Sequence, residues 1–328
     1  METPQLIDNH GRPITYLRLA VTDRCNLRCT YCMPSEGIPF VRHDQVLSFE
    51  EMARLVRIAV YLGISKVRFT GGEPFVRRDF MQLLEMVRPI AGLAELHITS
   101  NGVAVRESVT RLKEIGISGI NVSLDTLRPE TFMHISRRDE LPRVLSSIEA
   151  LLAAAIPVKI NSVVLPGIND DEIADLAGLA AKWPVTVRFI EQMPFNGEGR
   201  GVMDGRDGLS VPEILQQAYP EMEPLADHSG TANLYQIPGF QGRIGVINAY
   251  TRKFCYRCNK IRVTPTGMLK TCLYDNGRLS LLSMLRADAA DDEIAEAIRR
   301  TVTSRARDGF VAEALNTAPK SSMAAIGG

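Results

Sequence analysis

No stretch of the chain is apolar over anything near the roughly 20 residues that a membrane-spanning helix requires, so no membrane association is expected. Net charge is lacking as well: 38 Lys and Arg face 38 Asp and Glu among 328 residues. Such a chain exerts no long-range pull on nucleic acid, and an anionic ligand has to be caught by cations gathered locally. The opening residues METPQLIDNHGRPITYLRL hold no basic segment followed by an apolar one. They read as no export signal, and a cytoplasmic location is expected. At 45% hydrophobic and 23% charged residues the composition is that of an ordinary globular protein. Disordered polyelectrolytes, collagen-like fibres and small disulfide scaffolds are thereby excluded. The length suggests two domains, or one barrel-sized domain with an appendage.

Cysteine is absent except in two triplets. Cys25, Cys29 and Cys32 form C-x3-C-x2-C, and Cys255, Cys258 and Cys272 form C-x2-C-x13-C. In a reducing compartment short cysteine spacings read as metal or redox sites rather than disulfides. Structural zinc usually takes four ligands, each triplet offers three, and neither His43 nor His228 lies at a usual finger spacing. Three thiolates suit a [4Fe–4S] cluster whose fourth iron stays open. The first triplet reads as iron–sulfur; for the second, zinc stays open because C-x2-C is a common zinc half-site.

Six short β-rich runs recur along the chain, at 17–21, 66–70, 96–100, 119–125, 158–165 and 185–190. Amphipathic stretches lie between them, such as 50–63, which stops at a glycine, and 141–155. Alternation of strand and helix predicts parallel β/α units with right-handed crossovers. The fold class expected is α/β, a partial (β/α)6 TIM-like barrel, with a doubly wound sheet as the alternative. Past the sixth run the pattern breaks into a Gly- and charge-rich loop over 194–208, a helix over 211–220, a hairpin-like stretch over 232–251, the second triplet, and a helix over 291–306. A boundary is placed near residue 225. It separates a core over 1–225 from an α+β region over 226–328 that carries the second triplet and is expected to cover one end of the barrel.

In β/α barrels the active site is built from loops at the C-terminal ends of the strands. The chemically loaded residues fall there: the first triplet after the first run, 71-GGEP-74 after the second, Thr99 to Gly102 after the third. Ser123 and Asp125 follow at the fourth, Lys159 and Asn161 at the fifth, Glu191 to Met193 at the sixth. This agreement predicts one mouth-like site. The two glycines of GGEP allow close backbone approach, and Glu73 offers an acceptor for an ammonium group.

Cys25-Asn26-Leu27-Arg28-Cys29-Thr30-Tyr31-Cys32 resembles the signature of radical S-adenosylmethionine enzymes, and 71-GGEP-74 resembles their methionine-amine motif. RLAVTDRCNLRCTYCMP, VRFTGGEPFVRRD, INVSLD, RFIEQM, FCYRCNKIRVTPTGMLKTCL and the terminal Gly327-Gly328 together resemble the GTP 3′,8-cyclase family of molybdenum cofactor biosynthesis. That resemblance runs through almost the whole chain.

The resemblance implies a [4Fe–4S] cluster on each triplet, S-adenosylmethionine as cofactor and GTP as substrate. It puts Tyr31, Gly72, Glu73, Ser123 and Met193 at S-adenosylmethionine. It puts Arg18, Arg68, Thr99, Lys159, Lys260, Ile261 and Arg262 at GTP, with Arg188 as a weaker addition. Arg262, Gly327 and Gly328 are implied as catalytic. Hydrogen abstraction at ribose C3′ and attack of that carbon on guanine C8 would give the cyclic nucleotide. Cyclic pyranopterin monophosphate synthase as the next enzyme, an electron donor and a homodimer are further expectations. The sequence departs from the family at Lys260, where Arg is usual; Lys keeps the charge but lacks the planar fork. A peptide-modifying radical enzyme and a zinc-stabilised binding protein are the alternatives.

Overall fold

The computed structural model describes residues 5–193, 195, 210–226, 230–249, 252, 254–316 and 322–327. The loop expected over 194–208 lies outside the described residues apart from Phe195, as does Gly328. The strands are β1 (Tyr16–Ala20), β2 (Lys66–Thr70), β3 (Glu95–Ser100), β4 (Gly119–Ser123), β5 (Val158–Val164) and β6 (Thr186–Glu191). Then come β7 (Glu223–Pro224), β8 (Asn233–Gln236), β9 (Arg243–Ile247), β10 (Lys260–Val263), β11 (Met268–Lys270) and β12 (Leu279–Ser280). They form one sheet in the order β12-β11-β10-β1-β2-β3-β4-β5-β6-β9-β8-β7.

The six expected β/α units are present and their strands pair in parallel, β1 through β6. The later part of the chain does more than cover an end. It lengthens the sheet at both edges, β9 pairing in parallel with β6 and β10 in parallel with β1. Antiparallel partners then finish each side. The expected hairpin is β8–β9. Strands from both sides of residue 225 therefore share one sheet.

Side chains alternate between the two faces of each strand. Leu17, Leu19, Val67, Phe69, Ile261 and Val263 are buried on the outer face. Each such burial contributes about 1.5–3 kcal/mol, which holds the strands against repulsion among the cations on the inner face. The helix Phe49–Tyr61 packs on that outer layer through Met52, Leu55, Val56 and Ala59. Ser48 opens it: its hydroxyl accepts from the Glu51 amide at 3.1 Å, and the Glu51 carboxylate accepts from the Ser48 amide at 2.6 Å. The helices expected over 141–155, 211–220 and 291–306 span Leu141–Ala153, Val211–Ala218 and Asp291–Val302.

Candidate active site

The inner face of the sheet walls a cavity of about 780 Å³. All six cysteines border it, and all six are free thiols. The two triplets, separated by most of the chain, thus meet at one chamber. They arrive there on neighbouring strands: the first follows β1, and Cys255 and Cys258 immediately precede β10, its parallel partner.

The first triplet sits in a loop braced by the glycine turn after β2. Gly72 donates its amide to the Thr22 carbonyl oxygen and Glu73 to the Arg24 carbonyl oxygen, both at 2.8 Å. A Cβ at Gly72 would collide with the Arg24 carbonyl oxygen. The close approach that requires glycine is therefore to the cysteine loop itself. Gly72 borders the cavity, whereas Glu73 lies fully buried behind it. The Glu73 carboxylate accepts from the Asn101 amide at 2.6 Å, the Ser100 hydroxyl at 2.8 Å and the Phe75 amide at 3.1 Å. Burial raises its pKa to about 7, against the opposing pull of those donors. Cys25 Sγ accepts from the Leu27 amide at 3.4 Å and Asn101 Nδ2 at 3.6 Å. The Tyr31 hydroxyl donates to Asp125 at 2.8 Å.

The second triplet is held by a buried ionic network from the two ends of the chain. Asp8 accepts from Arg12 Nε at 2.7 Å. Arg12 Nη1 donates to the carbonyl oxygens of Cys255 at 2.8 Å and Arg307 at 2.7 Å. Arg305, itself 4% exposed, donates to the Cys258 carbonyl at 3.0 Å and to Cys258 Sγ at 3.1 Å. Burial drives Cys25 up to about 12 and Cys272 up to about 11. Cys258 goes the other way: burial would raise it too, but Lys260 and Arg305 outweigh burial.

These donor sets fit iron–sulfur clusters. Each is three thiols with no imidazole among them, and soft all-thiolate sets suit such clusters. Among the described residues no three His, Cys, Asp or Glu side chains are gathered to hold a single metal ion.

Cations cover the wall between the triplets. In register across three strands run the rows Lys260–Tyr16–Lys66 and Arg262–Arg18–Arg68. Further along lie Lys159 on β5 and Arg188 on β6, and all of these border the cavity. Burial, then the charge of Arg262, lowers Arg18 to about 9. Burial, then the charge of Arg188, lowers Lys159 to about 8. Among the described residues, the buried Arg188 Nε has no hydrogen-bond partner. Cations so crowded and desolvated call for an anion.

Of the other expected residues, Ser123, Thr99 and Met193 border the cavity. Ile261 does not; it is buried in the outer layer beside Leu17, because its neighbours Lys260 and Arg262 take the inner face. Gly327 lies beside the cavity wall, its carbonyl oxygen accepting from Arg262 Nη1 at 2.9 Å. Tyr16, Lys66, Glu95 and Arg305 border the cavity without having been singled out. Strand alternation with Arg18 and Arg68 was the available signal for Tyr16 and Lys66.

Family profiles match along most of the chain: the radical SAM superfamily over residues 19–180, and Molybdenum Cofactor Synthesis C over 185–310. The fold agrees. SuiB of Streptococcus suis superposes with a TM-score of 0.63 at 14% identity, over 95% of this chain and 77% of that one. The class is therefore that of the radical SAM proteins. A GTP 3′,8-cyclase of Geobacter sulfurreducens is 42% identical, covering 99% of this chain and 100% of the relative. One from Heliobacterium modesticaldum is 41% identical over 92% and 93% respectively. Molybdenum cofactor biosynthesis protein 1 of Bos taurus is 40% identical over 92% of this chain and 48% of its own length. Within its class the chain belongs to the GTP 3′,8-cyclase family.

Proposed function

We propose that the chain is a radical S-adenosylmethionine enzyme converting GTP to (8S)-3′,8-cyclo-7,8-dihydroguanosine 5′-triphosphate, the first step of molybdenum cofactor biosynthesis. One observation carries the reading: two cysteine triplets and a cross-strand block of cations border a single chamber.

Cys25, Cys29 and Cys32 would hold one [4Fe–4S] cluster, and Cys255, Cys258 and Cys272 would hold the second, which would take guanine. When bound, the first would supply the one-electron chemistry on S-adenosylmethionine by which ribose C3′ loses hydrogen and closes on guanine C8. Tyr31, Gly72, Ser123 and Met193 flank S-adenosylmethionine, while Glu73 contributes by bracing the turn and Asn101. Arg18, Arg68, Lys159, Lys260 and Arg262, with Thr99, neutralise the triphosphate, and Ile261 serves through its backbone. Arg262 and Gly327 close the chamber and keep water from the reacting centre, and Gly328 is assigned to catalysis with them. An external donor supplies two electrons, one for cleavage of S-adenosylmethionine and one that, with a proton, quenches the ring-closed radical to the dihydro product, which passes to cyclic pyranopterin monophosphate synthase in the cytoplasm.

The test is an anaerobic assay with dithionite, S-adenosylmethionine and GTP. 5′-Deoxyadenosine is expected together with a cyclised guanosine species. Deoxyadenosine formed at an equal rate without GTP would refute the substrate assignment.

A further inference from the structure

Tyr16 is the one side chain in the two rows of cations that carries no positive charge. It lies between Lys260 and Lys66 in strand register, with their Nζ atoms 5.5 and 5.3 Å from its ring centroid. The phenol oxygen accepts from Arg68 Nε at 2.5 Å. Arg68 Nη1 donates on its other side to the Ile98 carbonyl oxygen at 2.7 Å and reaches Thr99 Oγ1 at 3.5 Å. A guanidinium is rigid and planar, so fixing Nε and Nη1 fixes where Nη2 points. Among the described residues nothing accepts from Arg68 Nη2. Arg68 is 4% exposed and borders the cavity.

We propose that Tyr16 is a positioning residue for the triphosphate: its hydroxyl holds the Arg68 guanidinium with one edge toward the chamber, while its ring keeps Lys66 and Lys260 apart. This rests on the substrate reading above. Tyrosine suits the place for two reasons. A sixth cation among Lys66, Arg68, Arg18, Lys260 and Arg262 would add repulsion, whereas the electron-rich ring face attracts the two ammonium groups. The hydroxyl can also accept from an arginine, which neither lysine can do. The charges of Arg68 and Arg18 further favour a phenol oxygen rich in negative charge, holding its pKa at about 7 against the effect of burial.

The experiment is steady-state kinetics of the reconstituted holoenzyme with Tyr16→Phe, Arg68→Ala and the double variant. Tyr16→Phe retains the ring and removes only the oxygen. The expected result is a KM for GTP raised about 5–20-fold, the size of one lost charge-assisted hydrogen bond, with kcat within about twofold and the KM for S-adenosylmethionine unchanged. Because the hydroxyl acts through Arg68, the double variant should be no worse than Arg68→Ala alone. Tyr16→Phe with an unchanged KM for GTP, or losses that add in full in the double variant, would overturn the proposal. A fall in iron content or kcat matching the rise in KM would overturn it too, since that marks a structural role. Absence of saturation by GTP in the unaltered enzyme would instead refute the substrate reading, and the proposal with it.

Discussion

Arg262 Nη1 and the Gly327 carbonyl oxygen stand 2.9 Å apart, fastening the end of the chain to strand β10 inside the sheet. Gly327 adopts φ +80°, where side chains are strained, and a Cβ there would meet Ala20 Cβ at 2.6 Å and Thr70 Oγ1 at 2.9 Å. Gly327→Ala should therefore displace the tail from its seat. Turnover is expected to fall at least about tenfold, a cost of about 1.4 kcal/mol in the transition state, with iron content unchanged. Wild-type turnover in Gly327→Ala would show that the tail needs no such fit.

Removal of the Arg305 guanidinium should loosen the second triplet. Arg305→Met loses the donors to the Cys258 carbonyl oxygen and thiol sulfur, a destabilisation of about 1–3 kcal/mol. The holoprotein should then keep about four of about eight irons after chromatography. Full iron retention at an unchanged melting temperature would count against the clamp.

Ionisation of Tyr16 should couple to triphosphate binding. The groups facing the phenol are Arg68, Arg18, Lys260 and Lys66; against burial, the charges of Arg68, Arg18 and Lys260 hold its pKa at about 7, where a phenol ordinarily titrates at about 10. A bound triphosphate brings negative charge and favours the protonated form. At pH 8 binding of GTP should thus take up protons, seen in calorimetry as a heat that varies with the buffer's ionisation enthalpy. Tyr16→Phe should reduce that dependence, leaving the part due to Lys159, whose pKa burial and Arg188 lower to about 8.

His97 should make stability fall in mild acid. Burial, then the charge of Arg68, lowers its pKa to about 4, and the contact with Glu95 offsets this in part. Its folded pKa lies below the ordinary value of about 6.5, so the unfolded chain binds more protons between the two. Stability is lost as pH falls from about 6.5 to about 4. Melting temperatures across that window should decline less steeply in His97→Gln.

The six core strands were legible because short apolar runs alternate with helical patterns, and the loaded residues stand at one end of each. Strand β10 was not. Half of it, Lys260 and Arg262, is charged, because it faces the chamber, and its four residues follow directly on a cysteine loop. Arg305 was equally hidden: it acts on a cysteine 47 positions earlier in the chain, and no local pattern marks that. Glu73 was legible as a motif but not in its orientation, since only the fold shows its carboxylate spent on Ser100, Phe75 and Asn101. Tyr16 stands one residue before the first expected run, and only strand register puts it between two lysines.

The pairing of β10 with β1 carries a consequence for any shortened form. A polypeptide ending before residue 255 would forfeit half its thiols and also strip the first strand of its neighbour, leaving a bare ribbon of unpaired amides and carbonyls at what should be the sheet's interior. Such a fragment would tend to self-associate through that exposed flank, so the radical-forming half cannot simply be cut out as a minimal catalyst.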